Sequence, residues 1–189
     1  MTALIVNCSP VRGGATAETV RMIADAVAVC YAVKTVCIGD YAIRFCTGCR
    51  SCHETAECIL PPDGVPELMA EFAAADAVIC VSPSYWAEIP GQFKAFIDRC
   101  TPWSNTHEPH RTIPAGKRGY AVALRTGQNP AECERITGSL AHFYGHLGIP
   151  CCGRLCLTGV ACKEDVSGKT DEILRFCEKI NMGVTTDEG

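Results

Sequence analysis

The sequence predicts an α/β fold, a doubly wound five-stranded parallel sheet in the order 2-1-3-4-5 with helices on both faces. Short β-branched apolar runs alternate with segments of helical periodicity along the 189 residues, which is typical of a parallel sheet covered on both sides. Right-handed crossovers leave few topologies for five such strands. A composition of 48% hydrophobic and 20% charged residues is that of a globular chain.

The five strands are predicted in order from short apolar runs. They are "ALIVNCS" (3–9), "AVKTVCI" (32–38), "DAVICVS" (76–82), "RGYAVALR" (118–125) and "PCCGRLCLTGV" (150–160). Amphipathic periodicity predicts helices at about 17–29, 65–75, 91–99, 131–147 and 166–181. The longest irregular piece, 100–117, is too short to be a domain. We therefore expect one domain over residues 1–189, with a cysteine-rich loop at about 45–60.

Charge and hydropathy exclude several classes of protein. The net charge is −4, from 17 basic and 21 acidic residues without a basic cluster, which disfavours nucleic acid as a partner because phosphate backbones require clustered Lys and Arg. No apolar run reaches the roughly 18 residues needed to span a membrane. The segment "MTALIVNCSP" lacks the charged start and long apolar stretch of a signal peptide. These features predict a cytoplasmic protein without membrane contact.

Three loops are expected to meet at the carboxyl edge of the sheet, where ligands bind in folds of this kind. The first is "SPVRGGAT", which joins a strand to a helix N-terminus. Ser9 and Thr16 offer hydroxyls, Gly13 and Gly14 allow backbone N–H groups to face an anion, and Arg12 supplies charge. The loop is neither a Walker A motif nor G-x-G-x-x-G. A phosphate site and an ordinary capped helix start both remain open.

The other two loops are "SPSYWAEIP" and "RTGQNP". Tyr85 and Trp86, with Pro83 stiffening the turn, offer a stacking wall for a planar heterocycle. The alternative is that Trp86 packs on the following helix or on a partner subunit. Thr126 and Gly127 permit close approach of backbone to ring heteroatoms, although an ordinary turn explains the same residues.

The segment "FCTGCRSCHETAEC" contains Cys46, Cys49, Cys52 and Cys58. With fifteen cysteines in the chain, a window of this length would hold about one by chance, so the clustering is real. Four closely spaced thiolates are typical of iron–sulfur clusters. Zinc usually takes two C-x2-C pairs with a longer gap, and free thiols are a third interpretation. His142 and His146 lie four residues apart without a visible third ligand, which indicates an ordinary amphipathic helix, and His107 and His110 are expected to be solvated.

With these motifs in place, the sequence resembles the NAD(P)H-dependent FMN reductases of flavodoxin-like fold, and among them most the iron–sulfur flavoproteins. The resemblance covers nearly the whole chain. It rests on "SPVRGGAT", "CTGCRSCHETAEC" and "SPSYWAEIPGQFKAFIDR". The last stretch is the most specific of the three, because Lys94, Asp98 and Arg99 stand at the positions that the family pattern gives them. Two residues depart from the pattern: Ala15 stands where Asn is usual, and Val11 where Arg is common.

The resemblance implies an FMN-dependent redox protein. It places the FMN phosphate and ring on residues of the three loops, namely Ser9, Arg12, Gly14, Ala15, Thr16, Ala17, Pro83, Ser84, Tyr85, Trp86, Thr126, Gly127 and Gln128. It implies a 4Fe–4S cluster on Cys46, Cys49, Cys52 and Cys58, with electrons supplied by NAD(P)H or a ferredoxin-like donor. No side chain is expected to act as catalytic acid or base, and a homodimer or homotetramer is expected. A non-enzymatic electron carrier, a cluster-free FMN reductase, and a thiol or zinc module without flavin remain alternatives.

Overall fold

The structure, a computed structural model, describes residues 1–185, and of Val184 and Thr185 only the backbone. Five strands form one parallel sheet in the order β2-β1-β3-β4-β5, which confirms the predicted fold. The strands are β1 (Thr2–Asn7), β2 (Ala32–Cys37), β3 (Ala77–Pro83), β4 (Arg118–Leu124) and β5 (Cys151–Leu157). The helices are α1 (Ala15–Val27), α2 (Cys52–Thr55), α3 (Gly64–Ala74), α4 (Gly91–Arg99), α5 (Ala131–His146) and α6 (Thr170–Thr185). The last residues of the predicted domain, 186–189, lie outside the described residues.

Two hydrophobic cores lie on opposite faces of the sheet. Helices α3, α4 and α5 pack on one face, where the rings of Phe72, Phe93, Phe96 and Phe143 contact one another. Helices α1 and α6 cover the other face. Strand β3 is buried along nearly its whole length, whereas the edge strands β2 and β5 are only partly covered. The continuous apolar run of β3 is what burial on both faces requires.

Several elements differ from the predicted boundaries. Helix α1 begins at Ala15, two residues before the predicted start at Ala17. Gly14 is its N-cap residue and has an extended backbone conformation. The closing helix begins at Thr170, after a 3₁₀ segment over Lys163–Lys169. That segment forms because the Asp165 carboxylate accepts the backbone N–H groups of Ala161 and Cys162, at 2.8 and 3.0 Å. The short helix α2 inside the cysteine-rich loop was not predicted.

All five strands run in one direction, so their carboxyl ends share one edge of the sheet. The loops after β1, β3 and β4 leave from this edge, as do the turn after β2 and the start of the cysteine-rich segment. Within residues 1–185, no helix is both long and apolar enough to cross a lipid bilayer. The fold therefore gathers the candidate residues from separate parts of the chain at one edge.

Candidate functional site

The loop after β1 is held in shape by its own side chains. Asn7 Oδ1 accepts the backbone N–H of Ser9 at 3.0 Å, and Ser9 Oγ accepts that of Val11 at 3.1 Å. Asn7 Nδ2 donates to the Val11 carbonyl at 3.3 Å. The side chain of Ser9 is thus used to fix the turn and is buried. This contact uses the Ser9 oxygen only as an acceptor, so a donor function of the hydroxyl toward a ligand stays a prediction.

The N-terminus of α1 has the geometry of an anion site. Gly14 is its N-cap residue, and within the described part of the chain no side chain caps this end. The first N–H groups of a helix have no acceptor within the helix, so those of Ala15, Thr16 and Ala17 are available. A side chain at Gly13 would meet no atom within 4 Å, which leaves room above the loop. The helix dipole adds to the attraction for an anion.

Arg12 lies beside this opening but already has a partner. Its guanidinium forms an ion pair with Asp40, in the turn that follows β2, and also donates to the Gly39 carbonyl at 3.4 Å. Both charged side chains are largely exposed. The positive charge predicted for the phosphate is therefore partly balanced, and the backbone N–H groups are the stronger element of this loop.

The loop after β3 forms a tight reverse turn. Tyr85 and Glu88 exchange two backbone hydrogen bonds, of 3.0 and 3.1 Å. Trp86 and Ala87 between them have φ angles of +55° and +63°, which large side chains rarely adopt. Trp86 is 100% exposed and Tyr85 is 42% exposed. The turn thus holds an aromatic pair outward at the sheet edge, and Trp86 does not pack on the following helix.

Replacing Ala87 with Gly is expected to stabilise the protein slightly. A left-handed conformation costs a residue other than Gly about 1–2 kcal/mol, and the extra flexibility of Gly in the unfolded chain offsets about 0.5–1 kcal/mol of the gain. Urea denaturation should therefore show a stability increase of up to about 1 kcal/mol. The same change at Ala141 on α5, where the backbone is helical, should destabilise the protein by a comparable amount. A destabilised Ala87→Gly protein would contradict the inference that the left-handed backbone conformation of Ala87 is strained.

A polar network joins the loops after β3 and β4. Ser84 Oγ donates to Glu132 Oε2 at 2.7 Å, and Arg125 pairs with Glu132 Oε1 at 3.1 Å and donates to the Asn129 carbonyl at 2.6 Å. The backbone N–H of Ser84 donates to the Leu124 carbonyl at 2.8 Å. These contacts fix both loops relative to each other.

Beside the network lies a cleft of about 370 Å³ lined by Ser84, Trp86, Ala87, Arg125, Thr126 and Glu132. The Nε of Arg125 is buried and has no hydrogen-bond partner among the described residues. Sequence reasoning missed Arg125 and Glu132, although Arg125 directly follows the apolar run of β4. Gly127 lies under the Arg125 side chain, where a Cβ would come within 2.5 Å of the guanidinium, so only Gly fits there without displacement.

The four clustered cysteines lie on one exposed loop. Cys46, Cys49 and Cys58 are exposed, Cys52 is partly buried at the start of α2, and none of the four forms a disulfide. Burial raises the pKa of the Cys52 thiol, and the neighbouring thiols of Cys58, Cys46 and Cys49 raise it further. All four cysteines belong to one loop of the chain. Across residues 1–185, however, no three His, Cys, Asp or Glu side chains are gathered closely enough to hold a metal ion.

A buried ion pair closes the base of this loop. Arg99, at the end of α4, contacts Asp63 at 2.7 Å, and their side chains are 4% and 5% exposed. Asp63 also accepts the backbone N–H of Arg44 at 3.0 Å, and Arg99 donates to the Arg44 carbonyl at 3.0 Å. The pair therefore connects Arg44, just before the cysteine-rich loop, to Asp63, just after it.

The outer side of the loop rests on the irregular segment 100–117. Arg111 donates to the Ala56 carbonyl at 3.0 Å, and its guanidinium lies 5.2 Å from the centre of the Trp103 ring. The rings of His53 and His107 stack with centroids 4.4 Å apart. His107 is partly buried, with both ring nitrogens shielded from water, so the expectation that it is solvated was wrong. The segment supports the cysteine-rich loop.

His142 and His146 face each other across one turn of α5. Their Nε2 atoms are 2.9 Å apart, and the Nδ1 of His146 contacts Ser104 Oγ at 3.0 Å. They line a groove between α4 and α5 of about 950 Å³. Among the described residues, no third His, Cys, Asp or Glu side chain lies close enough to form a metal site with them.

Fold and site together define a parallel α/β protein with an uncapped helix N-terminus, an outward aromatic turn, a polar cleft and a cysteine-rich loop at one edge of the sheet. The model of the NADPH-dependent FMN reductase family matches residues 1–159. The chain belongs to this family, as its resemblance to the FMN reductases predicted, and the family is one of oxidoreductases.

Curated relatives share part of the chain. An iron–sulfur flavoprotein of Archaeoglobus fulgidus is 34% identical over 102 residues, which are 54% of this chain and 44% of the relative. One from Methanocaldococcus jannaschii is 30% identical over 134 residues, 70% of this chain and 66% of the relative. The matched segments span 36% to 66% of the length of the five curated relatives, and about half or less in four of them.

Solved structures show the same fold at low identity. An FMN-dependent NADH-azoreductase from Bacillus anthracis, in complex with FMN, superimposes with a TM-score of 0.69 at 12% identity, over 96% of this chain and 100% of the other. An NAD(P)H:quinone oxidoreductase from Methanothermobacter marburgensis gives a TM-score of 0.70 at 13% identity, over 95% and 96%. At these identities the likeness shows the flavodoxin-like fold alone.

Proposed function

We propose that this protein is an FMN-dependent oxidoreductase that takes electrons from NAD(P)H or a ferredoxin-like donor and passes them to an acceptor. The observation that carries the proposal is the open N-terminus of α1 at the same sheet edge as the Trp86 turn and the Arg125 cleft. The open helix N-terminus suits a terminal phosphate, and the Trp86 turn and the Arg125 cleft suit a planar ring. Family membership and the shared fold support the same conclusion.

The proposed phosphate site is the first loop and the first turn of α1, formed by Ser9, Arg12, Gly14, Ala15, Thr16 and Ala17. Backbone N–H groups of Ala15, Thr16 and Ala17 would donate to the phosphate oxygens, and the helix dipole would add to their attraction. Ser9 acts by fixing the turn. Arg12 would contribute charge shared with Asp40, so its contribution is smaller than a free guanidinium would give.

The proposed ring site lies between the loops after β3 and β4, with Pro83, Ser84, Tyr85 and Trp86 on one side. Thr126, Gly127 and Gln128 would approach the ring edge on the other side. When bound, FMN supplies the electron-transfer chemistry, and the protein holds, tunes and shields it. The buried Arg125 Nε, which has no partner in the described residues, would donate a hydrogen bond or place positive charge near the ring. The Ser84–Glu132–Arg125 network keeps both walls in place.

We further propose that Cys46, Cys49, Cys52 and Cys58 hold a 4Fe–4S cluster that exchanges electrons with FMN. Four thiolates on one loop match the ligand preference of iron–sulfur clusters, and the names of the curated relatives support the assignment. The four cysteines lie on one loop, which the Asp63–Arg99 ion pair clamps at its base. They would have to draw together on binding, since they do not surround a metal position in this structure.

Anaerobic purification tests the proposed function. Absorbance of bound flavin, broad iron–sulfur absorbance near 400 nm that is separable from it, and NAD(P)H oxidation by the purified protein are expected together. Rapid exchange with a redox partner without NAD(P)H oxidation would instead indicate an electron carrier. A colourless protein that takes up no added FMN would contradict the proposal and indicate a thiol or zinc module.

Changing Ala15 tests the phosphate site with two side chains of equal size. Ala15→Asp places a negative charge at the first helical turn and should weaken FMN binding by about 10- to 100-fold through repulsion of the phosphate. Ala15→Asn restores the amide that is usual in the resembled family and should tighten binding by up to about tenfold, as one hydrogen bond to a charged group does. FMN affinity is measured by fluorescence quenching. Acidic residues stabilise helix N-termini, so weaker binding by the Asp variant would not reflect unfolding, and equal affinities of both variants would contradict the site.

Self-association is expected from the exposed aromatic pair at the ring site. Trp86 and Tyr85 lie beside the proposed ring site, and exposed apolar side chains at such an edge are usually covered by a ligand or partner. We therefore propose a homodimer or homotetramer. Sedimentation velocity with FMN bound should show a species larger than the 20.3 kDa chain at micromolar concentration. A monomer under these conditions would contradict this proposal and leave the FMN site unaffected.

A further inference from the structure

The Arg125 side chain forms part of the wall of the cleft proposed for the flavin ring. Ser84, Trp86 and Thr126 line the same cleft, and they belong to the two loops that the sequence predicts for the ring. The Arg125 side chain is only 18% exposed, so its charge is mostly shielded from solvent. Water and salt screen a partly buried charge less than an exposed one. The charge therefore acts on whatever occupies the cleft.

The fold holds Arg125 by its backbone and by its side chain. Its backbone N–H donates to the Leu157 carbonyl at 3.0 Å, and its carbonyl accepts the N–H of Val160 at 2.9 Å. Its guanidinium donates to the Asn129 carbonyl at 2.6 Å. Gly127 leaves room for this side chain, since a Cβ there would lie 2.5 Å from a guanidinium nitrogen. The positive charge is thus fixed at the cleft.

Glu132 places a negative charge in the same wall. Its Oε1 lies 3.1 Å from the guanidinium, and its side chain is 33% exposed. Its Oε2 accepts the Ser84 hydroxyl at 2.7 Å, so the carboxylate is also fixed. Because Glu132 is more open to water than Arg125, it offsets part of the positive charge and does not cancel it. The Nε of Arg125 is buried without a partner among the described residues, and a polar ring edge in the cleft would supply the acceptor that it lacks.

Hydride transfer from a nicotinamide donor gives these two charges an effect. A hydride carries two electrons and one proton, so the ring that accepts it gains one negative charge until a second proton arrives, and the nicotinamide is oxidised. A cation beside the ring stabilises this reduced form more than the neutral oxidised form, and an anion does the reverse. Charge near the ring is one of the means by which a protein tunes a flavin.

We propose that Arg125 and Glu132 set the reduction potential of the bound flavin in opposite directions, with Arg125 raising it and Glu132 limiting the rise. The inference rests on the proposed FMN site and deepens it. Neither residue is among those that the resemblance places at the flavin. Their contact with each other offers a way to separate the effect of charge from that of structure.

Three substitutions in the FMN-bound protein make this separation. Glu132→Gln removes the anion and keeps an amide oxygen as acceptor for Ser84, whereas Arg125→Gln removes the cation. Both break the same ion pair, so a purely structural function predicts that both shift the potential in the same direction. Arg135→Gln is the matched control, because it removes an exposed cation of the same helix, paired with Glu88 at 3.6 Å.

The midpoint potential of bound FMN is measured by anaerobic titration against a reference dye, and FMN affinity by fluorescence quenching. Glu132→Gln should raise the potential above that of the wild type, and Arg125→Gln should lower it. The two variants should differ at least tenfold in the reduction equilibrium, about 30 mV for two electrons. Arg125→Lys keeps the charge and should stay closer to the wild type than Arg125→Gln. Arg135→Gln should leave the potential unchanged.

The outcomes that overturn the inference are distinguishable from failure of the proposed function. Equal potentials in Glu132→Gln and Arg125→Gln, or shifts in the same direction, would mean that the pair only holds the two loops together, and the FMN site would stand. A wild type that binds no FMN would overturn the proposed function and this inference with it. If Arg125→Gln loses FMN, Glu132→Gln decides, since an unchanged or lowered potential in that variant would contradict the inference.

Discussion

Replacing any one of Cys46, Cys49, Cys52 or Cys58 with Ala is expected to remove most of the cluster iron while FMN stays bound. Four thiolates complete the coordination of a 4Fe–4S cluster, so the loss of one leaves an open iron site. The proposed flavin residues lie on other loops, held by their own hydrogen bonds. Iron and flavin are quantified per chain after anaerobic reconstitution.

Cys152→Ala is the matched control, because Cys152 is an exposed thiol on β5 outside the loop. It should leave iron content unchanged. Zinc in place of a cluster would respond in the same way to the four loop substitutions but would give no visible absorbance. Wild-type protein with less than one iron per chain and normal flavin would rule out the cluster and leave a cluster-free FMN reductase.

Asp63→Ala is expected to lower the free energy of unfolding by about 3–5 kcal/mol, because it leaves a buried Arg99 without its counter-charge. The change also removes the N-cap of α3 and the acceptor for the Arg44 N–H. Urea denaturation measures the loss. Asp40→Ala is the control, since it breaks the exposed pair with Arg12 and should cost at most about 1 kcal/mol. Equal losses of unfolding free energy in the two variants would mean that burial does not make the loss of the Asp63 carboxylate more costly.

Ionisation of the Asp63 carboxylate also makes the free energy of unfolding depend on pH, and the direction of this dependence follows from the pKa shift. Burial opposes ionisation of Asp63, but hydrogen bonds from the N–H groups of Arg44 and Val65 and from Arg99 outweigh it and lower its pKa. A lowered folded-state pKa means that the stabilisation is present above the unfolded pKa of about 3.9. It is lost as the pH falls through the lower folded value. Asp63→Asn should remove this part of the acid sensitivity.

The sequence by itself determined the fold and the regions of the candidate site. Strand β3, "AVICVSP", is apolar along its length because both of its faces are covered, and such a run is legible without a structure. The order of strands follows from the handedness of the crossovers. The glycines before α1 and the spacing of the four cysteines are local features, so the sequence alone was enough to select these two loops, whose functions stay predictions.

The tertiary structure decided which groups act together. The pairing of Arg12 with Asp40 joins residues 28 positions apart, so the sequence could not show that the charge expected for the phosphate is partly balanced. Arg125 and Glu132 form a polar network together with Ser84, which lies on the loop after the neighbouring strand β3. Asp63 and Arg99 meet 36 positions apart at the base of the cysteine-rich loop. Apolar periodicity and turn chemistry are local properties of a chain, whereas the partner of a charged side chain is set by which elements the fold packs side by side.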